Sequence, residues 1–405
     1  MRFVGLCERG RKAAYPTEFN GRGGVSVVRP LLTYCERELP WLLDMVAALV
    51  RLESPSGDAA AINRCMTELA SRLADIGGTV VRLPGGTAGD HVRAEFGSGA
   101  GQALMLGHAD TVWPVGTLAS RPFRERDGLL YGPGVLDMKA GLALAALAVR
   151  ALAHAPGGLP GKVVMLVTSD EETGSVSSRA LIEAEALASK AVLVLEPALP
   201  GGALKTSRKG CGVFVLRAFG RAAHAGVEPE RGASAVSELA RQIPRIEALR
   251  SQSEGTTVNV GVIRGGTRPN VIAAAAEAVI DVRAASAAEA DRVTRALRAL
   301  TPVDPRITLA VSGGIDRPPM ERSAGVVMLF DLARDVAAGL GRALAEGGTG
   351  GGSDGNLTAA LGVPTLDGLG AVGGGAHADD EHVSVGDLAW RAALLAGLLR
   401  RIQAV

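Results

Sequence analysis

Five short segments concentrate residue types that bind metal or move protons. His108 and Asp110 stand in GHADTVWPVGT, Asp137 in GPGVLDMKAG, Glu171 and Glu172 in TSDEETGS, Glu196 in LEP, and His377 in GAHADDEH. Singly, each has a bland explanation. An H-x-D at a strand end is usually a hydrogen-bonded loop pair, and adjacent glutamates usually open a helix, where their charge complements the helix dipole. Together they offer imidazole and carboxylate donors in one protein, which suits one or two divalent cations: zinc first, cobalt or manganese also. Such ions lower the pKa of water and polarise a carbonyl, and a carboxylate not spent on metal can act beside them as general base. That is the chemistry needed to hydrolyse an amide.

These residues need elements that bring them together. The runs ALML before His108, KVVMLVT before Glu171 and AVLVL before Glu196 are continuously apolar, so they read as buried strands. Helical spacing over about 139–153 and 178–188 alternates with them. The pattern is an α/β fold with an open, mostly parallel sheet, whose ligands gather at the carboxyl ends of the strands. Earlier, helical spacing covers 30–52, broken at Pro40, and 59–73. After residue 208 the texture changes. A strand of alternating polarity, a helix over 233–249, two strands, a helix over 287–300 and a last strand follow, the β-α-β-β-α-β order of a ferredoxin-like α+β unit. From Pro319 the chain returns to a helix, a Gly-rich loop over 347–356 and a final helix over 385–402. The expectation is a catalytic domain built from 29–208 and 319–405, an inserted domain over 209–318, and an irregular extension over 1–28.

Composition narrows the function. The 405 residues are 47% hydrophobic and 21% charged with a net charge of +1, which describes a folded chain rather than a disordered one. No apolar run approaches the ~20 residues of a membrane helix. Balanced charge argues against nucleic acid or a membrane surface as partner. Cys7, Cys35, Cys65 and Cys211 lack paired spacing and read as reduced, mostly buried thiols. The N-terminus lacks the apolar core of a signal peptide, so a cytoplasmic location is expected. The stretch GGTGGGSDGN lacks the Gly-Lys-Ser/Thr ending of a phosphate-binding loop. Aromatic residues are only 3%, which favours small acyl or dipeptide substrates over large aromatic ones.

In their order and spacing the five segments resemble the M20 zinc peptidase and amidohydrolase family, most of all its glutamate carboxypeptidase branch, over roughly residues 35–405. The resemblance implies two Zn2+ per subunit (Co2+ or Mn2+ also serving) and an inserted lid domain through which a homodimer forms. It implies that His108 and Glu196 bind one ion, that Glu172 and His377 bind the other, and that Asp137 bridges both. Asp110 would fix the far nitrogen of His108, and a cis peptide would follow Asp137. Glu171 would take a proton from water and deliver it to the leaving amine. His224, in GRAAHAG, would reach the partner subunit's site and hydrogen-bond the carbonyl oxygen as the tetrahedral intermediate forms. Asn270, in RPNVI, and Arg317, in GGIDRPP, would hold a substrate carboxylate, for which a guanidinium fork is well shaped. Gly352 would let backbone approach the substrate.

The implied reaction is cleavage of an N-acyl or N-aminoacyl amino acid with a free C-terminal carboxylate, glutamate being the leading released residue. The alternatives are an aminoacylase or N-acyl-amino-acid deacetylase, a dipeptidase for β-aspartyl-type linkages and, from another class, a non-catalytic scaffold that keeps the fold. His382 competes with His377 as the C-terminal ligand, and the Gly-Ala-His-Ala-Asp context favours His377. Arg283 reads as an ion-pair partner, while His91 and His154 carry no assigned chemistry.

Overall fold

A computed structural model describes residues 25–99 and 101–404. The chain begins with α1 (Val25–Arg37) and α2 (Leu39–Val50). They break at Glu38, and Pro40 falls in the first turn of α2, where its missing N–H forfeits no helical hydrogen bond. The irregular extension expected over 1–28 is therefore corrected at its end: the chain is helical from Val25, because Val28, Leu31 and Cys35 bury into the main core. Residues 1–24 of that extension lie outside the described residues.

Next come α3 (Ala59–Asp75), β1 (Thr79–Leu83), β2 (His91–Phe96), β3 (Gln102–His108), α4 (Thr117–Ser120), β4 (Arg124–Arg126) and β5 (Leu129–Tyr131). Asp58 caps α3 by accepting the Ala61 N–H at 2.9 Å. Then follow α5 (Ala140–His154), β6 (Lys162–Thr168), α6 (Arg179–Leu187), β7 (Ser189–Val194) and β8 (Leu204–Arg208). The middle of the chain holds β9 (Gly210–Phe219), α7 (Ala235–Glu247), β10 (Thr257–Gly265), β11 (Ala275–Ala284), α8 (Ala287–Arg298) and β12 (Thr308–Arg317). The remainder is α9 (Ala324–Gly339), β13 (Glu346–Thr349), α10 (Asp354–Ala360), β14 (Thr365–Leu366), β15 (Gly373–Gly374), β16 (His382–Ser384) and α11 (Val385–Gln403).

The main sheet has six strands in the order β1-β2-β6-β3-β7-β14. Four of them, β6, β3, β7 and β14, run parallel, and the antiparallel hairpin β1–β2 closes one edge, so the sheet is mixed. The apolar runs that mark β3, β6 and β7 are buried because helices cover both faces. The hairpin strand β2 carries no such run: HVRAEF alternates too briefly to announce itself.

Residues 210–317 form a second sheet, antiparallel throughout, in the order β10-β11-β9-β12. Numbered within the unit this is 2-3-1-4, the split β-α-β arrangement. Phe214, Leu216 and Ala218 alternate onto the face covered by α7 and α8, where they meet Leu239, Val293 and Leu297. Ser234 and Ser286 cap those two helices by accepting N–H groups of Ser237 and Glu289.

The topology delivers one consequence for chemistry. Strand β3 lies between β6 and β7, with His108 opposite Thr168 and Leu106 opposite Val194. The residues that follow β6 and β7 must therefore emerge on either side of His108. Among the described residues, no helix is long and apolar enough to cross a membrane.

Candidate metal centre

His108 is the last residue of β3, fully inside the sheet edge. Asp137 sits in the turn Val135–Lys139 that leads into α5, and the Asp137–Met138 peptide is cis. Glu171 and Glu172 form a short 3-10 turn after β6, and Glu196 follows β7. His377 arrives from the loop between β15 and β16 at φ 61°, a left-handed conformation costly to a residue with a Cβ.

Four of these side chains converge around Asp137. Its Oδ1 lies 3.2 Å from His108 Nε2, which is itself 3.5 Å from Glu196 Oε1. Its Oδ2 lies 3.3 Å from His377 Nε2, which is 3.1 Å from Glu172 Oε1. Each oxygen of one carboxylate thus faces its own imidazole and its own second carboxylate. His108, Asp137 and Glu172 together place ligand atoms within 4.8 Å of one another.

The surrounding groups orient this set. His108 Nδ1 donates to the Asp110 backbone carbonyl at 3.0 Å, with the Asp110 carboxylate at 3.4 Å, so Nε2 is the nitrogen turned to the cluster. The buried Asp110 carboxylate has a further task. It accepts the N–H groups of Glu171 and Glu172, each at 3.2 Å, and the Ser56 hydroxyl at 2.8 Å, and so holds the turn that carries both glutamates. Glu381 accepts the N–H groups of Gly134, Leu136 and Asp137 at 2.8, 2.8 and 3.1 Å and the Trp113 indole N–H at 2.8 Å. Buried Arg208 reaches Glu196 at 3.0 Å. Neither Arg208 nor Glu381 was singled out by sequence reasoning. Glu381 lay within a cluster of acidic letters, and Arg208 beside Lys209, both of which look like solvated surface.

The electrostatics show a site starved of positive charge. Burial disfavours the His108 cation, but the carboxylates of Asp110, Asp137 and Glu196 overcome this and hold its pKa well above the ordinary value. Asp137 and Glu172 push His377 up to about 10. Burial works against the Asp137 anion, yet its hydrogen bonds from His108 and His377 keep its carboxyl far below the usual range. Burial raises Glu171 well above its ordinary value, against the downward pull of Arg317 and His108. The donor set fits divalent metal: imidazole nitrogens and carboxylate oxygens converge, and the cluster draws cationic charge onto its imidazoles.

Of the residues expected to meet substrate, Arg317 and Gly352 are engaged by the protein's own groups, and His224 and Asn270 lie in the second unit. Arg317 is not open to a substrate carboxylate, because its guanidinium is buried and already bound. It donates to Asp354 at 2.7 Å, to the Glu171 carbonyl at 2.8 Å and to Ser175 at 3.0 Å, and pairs with the Glu171 carboxylate at 3.0 Å. Gly352 is required by packing: a Cβ there would lie 2.7 Å from Cys211 Sγ and 3.0 Å from Arg317 Cδ, and its carbonyl accepts from Arg208. His224 and Asn270 are neighbours in the second unit, where the Ala225 N–H donates to the Asn270 carbonyl, and both side chains face solvent. Among the described residues, no hydrogen bond or ion pair joins either to the Asp137 cluster.

Other titratable groups are accounted for locally. Arg283 pairs with Asp281 at 2.9 Å, buried His91 bonds Ser169 and Ser177, and His154 stacks on Tyr34. The His382 ring bonds the Asp380 carbonyl and lies against Tyr131.

Comparison with known proteins agrees with this architecture. The family described as peptidase family M20/M25/M40 matches residues 104–401. Carboxypeptidase G2 from Pseudomonas sp. (strain RS-16) is 31% identical over 89% of each chain. Succinyl-diaminopimelate desuccinylase from Methylococcus capsulatus (strain ATCC 33009 / NCIMB 11132 / Bath) is 31% identical over 90% of this chain and 99% of its own length. Among solved structures, aminopeptidase PepT from Bacillus cereus superposes with a TM-score of 0.77 at 24% identity, over 90% of this chain and 98% of the other. A dinuclear metal binding peptidase of family M20 from Bacillus subtilis superposes with a TM-score of 0.67 at 14% identity, over 91% and 99%. With the family pattern spanning most of the chain and a relative aligned along nearly all of it, the protein belongs to peptidase family M20/M25/M40 and is a metallopeptidase hydrolase.

Proposed function

We propose that this hydrolase holds two zinc ions, cobalt or manganese being able to replace them, and cleaves the amide of N-acyl or N-aminoacyl amino acids that carry a free C-terminal carboxylate. The observation that carries the reading is the division of Asp137. One oxygen sits with His108 and Glu196 and the other with His377 and Glu172. Those five residues would hold the ions. When bound, they would supply a Lewis acid for the carbonyl and a more acidic water.

The chain's own groups do the rest. Glu171 lies beside the ligands, pairs with Arg317 and, among the described residues, has no imidazole partner. It would take a proton from water and return it to the departing nitrogen, and Arg317 would hold it in place. Asp110 fixes the turn on which Glu171 and Glu172 sit. His224 and Asn270 would act from the lid, residues 209–318, against the catalytic unit formed by 29–208 and 319–405. His224 would serve the site of the partner subunit in a homodimer made through the lid. The protein would act in the cytoplasm.

Glutamate is the leading released residue, because the five segments resemble the glutamate carboxypeptidase branch; the 31% identity to a carboxypeptidase along 89% of the chain supports release of a C-terminal residue. A deacylase acting on N-acyl amines is the second reading, favoured by the equally long match to a desuccinylase.

Glu171→Gln tests the mechanism. Hydrolysis should fall by at least about 100-fold, with two metal ions per subunit retained. A variant that keeps most of its activity overturns the base assignment. A panel of N-acyl amino acids, N-acyl diamines and isopeptide-linked dipeptides, scored by mass spectrometry on zinc-loaded protein, separates the two substrate readings.

A further inference from the structure

Arg208 closes β8, which pairs with β13, just before the second unit begins at Gly210. Its backbone pairs with Met320 on the returning segment, N–H to carbonyl in both directions at 2.9 and 3.0 Å. The side chain turns inward and is 3% exposed. A guanidinium has five N–H donors, and here each finds an acceptor. Nε donates to Asp367 Oδ2 at 2.7 Å, and Nη2 to Asp367 Oδ1 at 2.9 Å and Glu196 Oε2 at 3.0 Å. Nη1 donates to the carbonyls of Gly351 and Gly352 at 3.2 and 3.0 Å. Asp367 is wholly buried and is fixed in turn by the Ser353 hydroxyl at 2.8 Å.

This arrangement distinguishes the two oxygens of Glu196. Oε2 faces cations, Arg208 at 3.0 Å and Lys205 Nζ at 3.9 Å, while Oε1 faces His108. We infer that Arg208 is a positioning residue: it occupies one oxygen of Glu196 and thereby presents only the other to the ion held with His108 and Asp137. Asp367 locks the fork in the plane that makes this possible. The inference rests on the two-ion reading above. Among the described residues Glu172 has no such arginine or lysine partner, so the effect belongs to one of the two ion positions.

The test uses Arg208→Lys, which keeps the charge and loses the fork, and Asp367→Asn, which keeps the fork and loosens its anchor. Zinc-loaded proteins are titrated with a competing chelator, and metal per subunit is read by mass spectrometry. Cobalt(II)-substituted samples report the coordination environment by absorption. Wild type should release two ions. In both variants one ion should leave roughly 10–100-fold more readily with an altered cobalt spectrum, while the other leaves as in wild type. Circular dichroism should be unchanged. Equal weakening of both ions would mean that Arg208 merely supports the fold, and unchanged release of both would mean that it does not orient Glu196. Either result overturns the inference. If Arg208→Lys does not fold, the same comparison on Asp367→Asn decides. Wild-type protein that saturates with one ion overturns the two-ion reading itself.

Discussion

The Glu381 carboxylate accepts the backbone N–H of Asp137 at 3.1 Å, so the turn that carries His377 also grips the residue on which both donor groups converge. The same carboxylate takes the N–H groups of Leu136 and Gly134 and the indole of Trp113. One side chain thereby ties together the loop after β3, the turn before α5 and the turn before β16.

Replacing Glu381 by Gln turns one accepting oxygen into a donor and leaves at least one buried N–H without a partner. The loss should be roughly 1–3 kcal/mol, read as a lower midpoint in chemical denaturation of metal-loaded protein. Metal retention should fall as well. A Glu381→Gln protein as stable as wild type would show that these bonds are replaced by solvent.

His224→Ala should lower kcat by about 10²–10³-fold while metal content stays at the wild-type level. Mixing it with Glu171→Gln protein and allowing subunits to exchange should restore activity, because one heterodimer site then has both residues intact. Verified heterodimers without recovery would place the action of His224 within its own subunit.

The second unit should carry an acid-sensitive element of its own. The Glu289 carboxylate is held by the Arg292 guanidinium and the Thr256 hydroxyl, which lower its pKa from 4.5 to about 2. A depressed carboxyl stabilises the fold above its unfolded pKa and loses that contribution as pH falls through the folded one. The contribution is therefore full above about 4.5 and fades between there and about 2. Glu289→Gln should be less stable than wild type at neutral pH, and the gap should close through this window in denaturation midpoints against pH. A gap that is constant with pH would mean that the charge is immaterial.

Burial pushes the Cys35 thiol up to about 12. At pH 8 it should resist iodoacetamide in the native protein and react in denaturant, with peptide mapping to identify the site. Rapid native labelling of Cys35 would mean that α1 detaches from the core.

The strand ends that hold His108, Glu171 and Glu196 were legible because buried parallel strands write themselves as apolar runs, and chemistry sits where the runs stop. The second unit was legible from its alternating strands and two amphipathic helices. What escaped has no local period. Arg208 meets Asp367 across 159 residues and Trp113 meets Glu381 across 268, so no spacing in the sequence joins them. A buried charge and a surface charge are also the same letter. The misplacing of Arg317 has the same origin: its residue type suited a carboxylate, and the structure supplies Asp354 and Glu171 in that role. Strand β2 and the start of α1 were missed because each owes its form to what it packs against rather than to its own pattern.

The distance in sequence between Trp113 and Glu381 has a consequence for how the protein is born. Strand β14, Asp367, His377 and Glu381 all follow the second unit in the chain. A ribosome therefore completes that unit, with its own buried core, before it has made His377, the last of the five donors. The main sheet then closes around a finished insert, and the long closure is the entropically slow event. On the two-ion reading, full metal uptake would mark completed synthesis: a nascent chain lacks His377 until its final segment docks.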